Sequence, residues 1–171
     1  MKKIPLTQGK FAIVDDDDYE FLIQWKWHVR KGATTYYAAT NITGYPCRPK
    51  TYFMHRIILR APKGVFVDHK NQNGLDNRKS NIRLCTRGQN QQNQRKPSSG
   101  KTSKYKGVRR LRAKGKTTSA KIWVANITYD GIRVYLGRHK TEEAAAMAYN
   151  KAAKKYHKQF ARLNKIVLLF I

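Results

Sequence analysis

The sequence predicts an α+β fold for this 171-residue chain, with an N-terminal antiparallel sheet in the first half and a three-stranded antiparallel sheet packed on one helix in the second. Three observations predict it. Residues 1–60 alternate in the manner of short strands, a basic stretch without large apolar side chains divides the chain, and three further strand-like runs precede an amphipathic helical pattern. Hydrophobic residues make up 40% of the chain, enough for the core of one ordinary domain or two small ones.

In chain order, residues 11–14, 36–39 and 52–59 read as strands separated by Gly32, Gly44 and Pro46. Asp15 to Asp18 precede Phe21, Leu22 and Trp25, the spacing of a short helix with carboxylates at its positive end. Asn73-Gly74 marks a sharp turn. Thr86-x-x-Gln89 is a capping box, which predicts a short helix from near Arg87 with Asn90 in its first turn. Residues 95–103 then form a basic linker between a domain of residues 1–94 and one of residues 104–164.

Strand-like runs near 105–111, 121–129 and 131–137 follow, with Asp130-Gly131 as a hairpin signal. Thr141 offers an N-cap, Glu142 and Glu143 fill the first turn, and Ala145, Ala148, Tyr149, Ala152, Tyr156 and Phe160 recur at helical spacing. The small alanines let this helix lie close on a sheet. Residues 165–171 close the sequence as an apolar tail far shorter than the roughly 20 residues that cross a bilayer. No membrane association and a cytoplasmic, nucleoid-associated location are therefore expected.

Lys and Arg number 36 against 10 Asp and Glu, a net charge of +26 that calls for a polyanionic partner. Between Asp76 and Asp130 there is no acid, while Lys and Arg occur 15 times. That stretch is a candidate phosphate footprint, because each phosphate neutralised releases condensed counterions. Cys47 and Cys85 are the only cysteines. Two thiols cannot build a four-thiolate zinc site, so zinc is not expected and both are read as reduced packing residues.

The densest polar cluster spans residues 67–90. Asp68 is a lone acid in positive surroundings, suited either to pairing with a cation or to holding a metal near phosphate. His69 is the neighbouring side chain whose ordinary pKa lets it take a proton from water near neutral pH. Adjacent strand residues face opposite sides, so the two serve one site only where the pleat ends.

Within residues 55–93, His55-Arg56, Val67-Asp68-His69, Asn73-Gly74-Leu75-Asp76-Asn77, Ser80-Asn81-Ile82-Arg83 and Gln89-Asn90 resemble the HNH homing endonucleases encoded in phage introns. The resemblance implies a ββα-metal motif of two strands and a helix around one divalent ion, Mg²⁺ or Mn²⁺. It implies that Asp68 and Asn90 are metal ligands, that His69 is the general base, and that Asn81 orients the His69 imidazole by accepting a hydrogen bond. The expected reaction is phosphodiester hydrolysis in bacterial or phage-infected cells. His55 is read as a structural partner in a strand over residues 53–59, or as a backbone contact.

The second domain carries its own resemblance. Tyr105-Lys106-Gly107-Val108-Arg109-Arg110, Trp123 to Ile127, Tyr135-Leu136-Gly137, Thr141 to Ala145, Ala148-Tyr149 and Ala161 to Asn164 are similar to the Apetala-type DNA-binding domain of plant ethylene-response factors. That family lays a three-stranded sheet in the DNA major groove. The matching DNA contacts are Lys106, Arg109, Arg133 and Tyr135, with Arg110, Arg112, Lys114 and Lys116 on phosphates. Leu111, Asn126 and Thr128 depart from the pattern, so the plant target sequence does not transfer.

Together these readings predict a monomeric endonuclease of double-stranded DNA, with a second module that extends its footprint. The alternatives are a non-catalytic DNA-binding regulator and an RNA-binding protein.

Overall fold

The computed structural model describes residues 1–43, 49–96, 102–111 and 122–167, and the chain divides into two compact units, Met1–Asn90 and Gln91–Ile171. In the first unit, β1 (Lys2–Pro5) pairs antiparallel with β2 (Phe11–Val14), and α1 (Asp16–Leu22) follows with three carboxylates in its first turn. β3 (His28–Lys31), β4 (Tyr36–Thr43) and β5 (Pro49–Phe53) form a separate antiparallel sheet in that order. The expected single N-terminal sheet is thus corrected to two small ones. Their shared core is Ile4, Leu6, Ala12, Val14, Leu22, Trp27, Ala38 and Met54. The buried Trp27 indole N–H donates to the Leu22 carbonyl at 2.7 Å, as a buried polar edge must.

The strand expected over residues 52–59 is also corrected. β5 ends at Phe53, and Met54–Ile58 is a short helix, α2. Tertiary contacts override the alternating pattern: Met54 is wholly buried in the core, and the Arg56 guanidinium donates to the carbonyls of Ala61, Pro62 and Val65 at 3.2, 2.7 and 2.6 Å. His55 therefore rides on a helix.

β6 (Phe66–His69) and β7 (Ile82–Cys85) form an antiparallel pair with Asp68 opposite Arg83 and His69 opposite Ile82. α3 (Arg87–Asn93) follows at once, started by the reciprocal bonds Gln89 N–H to Thr86 Oγ1 (3.2 Å) and Thr86 N–H to Gln89 Oε1 (2.9 Å). The excursion between β6 and β7 is clamped from outside. Ile13 of β2 donates to the Leu75 carbonyl at 2.8 Å and accepts from the Asn77 N–H at 2.7 Å. Gly74 lies so close to β4 that a Cβ there would sit 2.4 Å from the Tyr36 carbonyl oxygen, so only glycine fits.

In the second unit, β8 (Val108–Arg110), β9 (Trp123–Tyr129) and β10 (Ile132–His139) pair antiparallel with β9 central. Asp130 and Gly131 turn the β9–β10 hairpin at φ +48° and +77°. α4 (Glu142–Tyr156) starts where Thr141 Oγ1 accepts from the Ala144 N–H at 3.1 Å. Its buried Ala145, Ala146, Tyr149, Ala152 and Ala153 pack on Val108, Ala125 and Ile127 of the sheet. Gly107, at φ +75°, lets the approach to β8 pass the Tyr149 ring, which a Cβ would strike.

The described ends of the stretch read as a linker hydrogen-bond within this unit. The Lys96 ammonium donates to the Ser103 and Tyr105 carbonyls, and Thr102 Oγ1 accepts from the Arg110 N–H. Residues 97–101 lie outside the described residues, as do Cys47, Arg112, Lys114, Lys116 and positions 168–171 of the apolar tail. Cys85 is a buried free thiol that burial pushes up to about 11. Among the described residues no helix is long and apolar enough to cross a membrane.

Candidate functional site

His69 is the last residue of β6, where the pleat ends and the Gln72 N–H turns back to the His69 carbonyl at 2.9 Å. Its ring is only 5% exposed as part of a buried residue, and it packs edge-on against His55 with centroids 5.0 Å apart. Tyr37 of β4 lies 5.9 Å from His69 and 5.6 Å from His55, and Phe53 stacks on His55 at 5.5 Å. Three elements that sequence reasoning did not join, β4, β5 and α2, thus wall the imidazole. Phe53 and Tyr37 gave only an apolar signal in the sequence, which does not distinguish a site wall from ordinary core.

Burial pushes His69 below the ordinary histidine range, opposed by the ring's hydrogen bond to the Asn77 carboxamide oxygen and by the charges of Asp68 and Asp76. His55 is driven further, to about 3, by burial first and then by His69 and Arg56. Both rings are therefore neutral at neutral pH, the form in which an imidazole accepts a proton. His55 Nδ1 is buried without a hydrogen-bond partner among the described residues.

Asp68 is equally buried and faces Arg83, its cross-strand partner, whose Nε and Nη2 donate to Asp68 Oδ2 at 2.9 and 2.6 Å. The field of Asp68 still reaches the neighbours, raising Tyr37 after burial and opposing the drop at His69. Asn90 sits half-buried in α3, its N–H on the Thr86 carbonyl at 3.0 Å. The donor set offered by Asp68 and Asn90 is one carboxylate and one amide oxygen. Such hard donors fit a divalent ion that keeps most of its water, with Arg83 sharing the carboxylate. Among the described residues no group of three or more His, Cys, Asp or Glu is placed to hold a metal.

Asn81 is placed elsewhere than the sequence led us to expect. Its Oδ1 accepts from the Asn71 N–H at 3.0 Å, and its Nδ2 donates to Asn71 Oδ1 and to the Asp76 carbonyl at 3.0 and 2.7 Å. It closes the excursion after β6. The carboxamide oxygen beside the His69 ring is that of Asn77, 3.3 Å from Nε2. Sequence spacing could not select it among so many asparagines, since the choice is made by β2.

On the second unit the pairing register puts Arg109 and Arg138 in one row across Val124, Tyr135 opposite Asn126, and Arg133 opposite Thr128. All share the face turned away from α4, and Arg109, Arg133, Tyr135 and Arg138 are exposed. Arg110 is exposed too but falls in the row of Trp123 and His139, on the other face. Half-buried Trp123 packs on the core.

Lys106, expected to touch DNA, is turned onto the protein instead: burial and Arg162 lower it to about 8, and its ammonium donates to the carbonyls of Gln91, Gln92 and Gln94 at 3.3, 2.6 and 2.8 Å. Three donors are all a lysine has. Arg138 was not among the expected contacts, and strict alternation from Tyr135 would turn it toward α4. The bulge after Tyr135, with Gly137 at φ +100°, reverses it, and a glycine inside a strand pattern was the available signal.

Residues 52–92 match the family described as HNH endonuclease. The chain is also 32% identical over 167 residues, covering 93% of this chain and 77% of the relative, to an uncharacterized HNH endonuclease of Acanthamoeba polyphaga mimivirus. No solved structure matches.

Proposed function

The chain belongs to the HNH endonuclease family, and from that premise we propose that it hydrolyses phosphodiester bonds of double-stranded DNA with His69 as general base. The observation that carries the proposal is the burial of a neutral His69 at the end of β6, one residue from Asp68 and paired with Ile82 at the start of the strand that leads to α3 and Asn90. His69 takes the proton from the attacking water. Tyr37 and His55 limit the tilt of its ring. Asp68 and Asn90 would hold one Mg²⁺ or Mn²⁺ ion. Such an ion, when bound, supplies charge for the crowded phosphate and the departing 3′ oxygen.

Asn81 serves this site by fixing the loop between its two strands. The exposed side chains Arg109, Arg133, Tyr135 and Arg138, on the sheet face of the second unit turned away from α4, grip DNA beyond the cut and act as an Apetala-like module. Arg110 adds a phosphate contact from the sheet edge. A homing habit, one nick per binding event by a monomer, and action in the cytoplasm of an infected cell or at its nucleoid belong to the same proposal. Asp68 bound by Arg83 favours a second reading, a DNA-binding regulator without nuclease activity.

Plasmid nicking separates the two. The full chain should relax supercoiled DNA with Mg²⁺ and not with EDTA, and His69→Ala should lower the rate by roughly 10²–10⁴-fold with DNA affinity kept. Equal nicking by His69→Ala removes it as the base. Binding without metal-dependent nicking leaves the regulator, and stronger binding to structured RNA at matched salt leaves the RNA-binding alternative.

A further inference from the structure

We infer that Asn77 is the positioning residue for His69, its carboxamide oxygen accepting the Nε2–H and so placing the basic lone pair on Nδ1. The inference rests on the proposed role of His69 and names both the residue that serves it and the nitrogen that works. Asn77 is fully buried, and its Oδ1 lies 3.3 Å from His69 Nε2. The carboxamide cannot be turned round, because its Nδ2 donates to the Leu75 carbonyl at 3.3 Å, and rotation would set an oxygen against that oxygen. An amide oxygen only accepts, so Nε2 carries the hydrogen. In a neutral imidazole the other nitrogen is then the proton acceptor.

The segment that carries Asn77 is held on both sides. Its N–H donates to Ile13 of β2 at 2.7 Å, while the Lys79 N–H donates to Asp15 Oδ2 at 2.7 Å, just past the end of β2. Asp76 is fixed by Arg78 Nε and Nη2 at 2.8 and 2.7 Å and by Asn71 Nδ2 at 2.8 Å. A strand more than fifty residues upstream of His69 therefore sets the hydrogen bond that orients it. The N-terminal hairpin is a brace for the base.

The test reads the tautomer of His69 in the full chain by long-range ¹H–¹⁵N correlation with ¹⁵N-labelled histidine, which needs no variant to fold. The Nε2–H form is expected, and an Nδ1–H form overturns the inference. Asn77→Leu, similar in shape but without an acceptor, should mix the two tautomers and lower the nicking kcat by about 10–100-fold with the DNA Kd unchanged. Asn77→Asp, which keeps an acceptor oxygen, should restore the Nε2–H form and most of the rate. An Asn77→Leu protein that nicks at the native rate with the native tautomer also overturns it. Undiminished nicking by His69→Ala instead strikes the proposed function, with the tautomer still reporting whether Asn77 makes this bond.

Discussion

Around His69 the cationic side chains are turned onto the protein's own oxygens: Arg56 onto three carbonyls, Arg78 onto Asp76, Arg83 onto Asp68. On the sheet of the second unit Arg109, Arg133 and Arg138 stand exposed, with Tyr135 among them. The two regions share a strongly basic sequence and treat it in opposite ways. A buried site holds guanidinium charge only where the protein's own oxygens already match it, whereas a phosphate grip needs charge that is not matched. Total charge calls for a polyanionic partner, and on the proposed function the disposition of each guanidinium separates the unit that holds the base from the unit that grips.

The contrast breaks most visibly at Arg83. Replacing it with leucine leaves Asp68 as an uncompensated charge in a region where the pair is 13% and 6% exposed, which should cost about 3–5 kcal/mol in a urea titration followed by circular dichroism. A loss below about 1 kcal/mol would mean that water already reaches the carboxylate.

Acid should come next. The folded pKa of His55 lies below its unfolded value of about 6.5, so folding is undisturbed above that pH. As pH falls toward 3 the unfolded chain binds a proton that the folded one refuses, and stability drops. At pH 4.5 the expected loss is about 2–3 kcal/mol, visible as a lower melting temperature, and His55→Leu should flatten the slope. An unchanged melting temperature between pH 7 and 4.5 would show that the pocket opens to water.

The grip is sharpened by smaller effects. Arg109→Ala or Tyr135→Ala should each weaken DNA binding by about 1–2 kcal/mol, and the arginine change should lower the salt slope by about 0.9. Stability should stay within about 0.5 kcal/mol, since both side chains are exposed. Smallest of all, Lys106→Met should leave the salt slope unchanged, because its charge faces the carbonyls of residues 91–94. A slope that falls as far as with Arg109 would put Lys106 back on the DNA.

What the sequence made legible was local. The Thr86–Gln89 capping box, the Asp130-Gly131 turn and the Thr141 cap each depend on residues within one turn of one another, and each is present. Asp68 and His69 were legible as candidates by chemistry and resemblance. What escaped was decided at long range. Met54 enters a core built from β1, β2 and α1, so an alternating run coils at α2 and carries His55 with it. Ile13 selects Asn77 from the asparagines that follow His69, and Asn81 is drawn into the loop. Lys106 has the residue type of a DNA contact, but its partners lie more than ten residues away.

The extra residue at Leu136–Gly137 gives the edge strand a way to vary. Filling Gly137, at φ +100°, with a β-branched side chain would press the bulge out and carry Arg138 to the helix side, while Arg109 and Tyr135 kept their places. A single-codon change there would re-aim one guanidinium and leave the rest of the face in place, so on the proposed function a changed footprint needs little change in the frame.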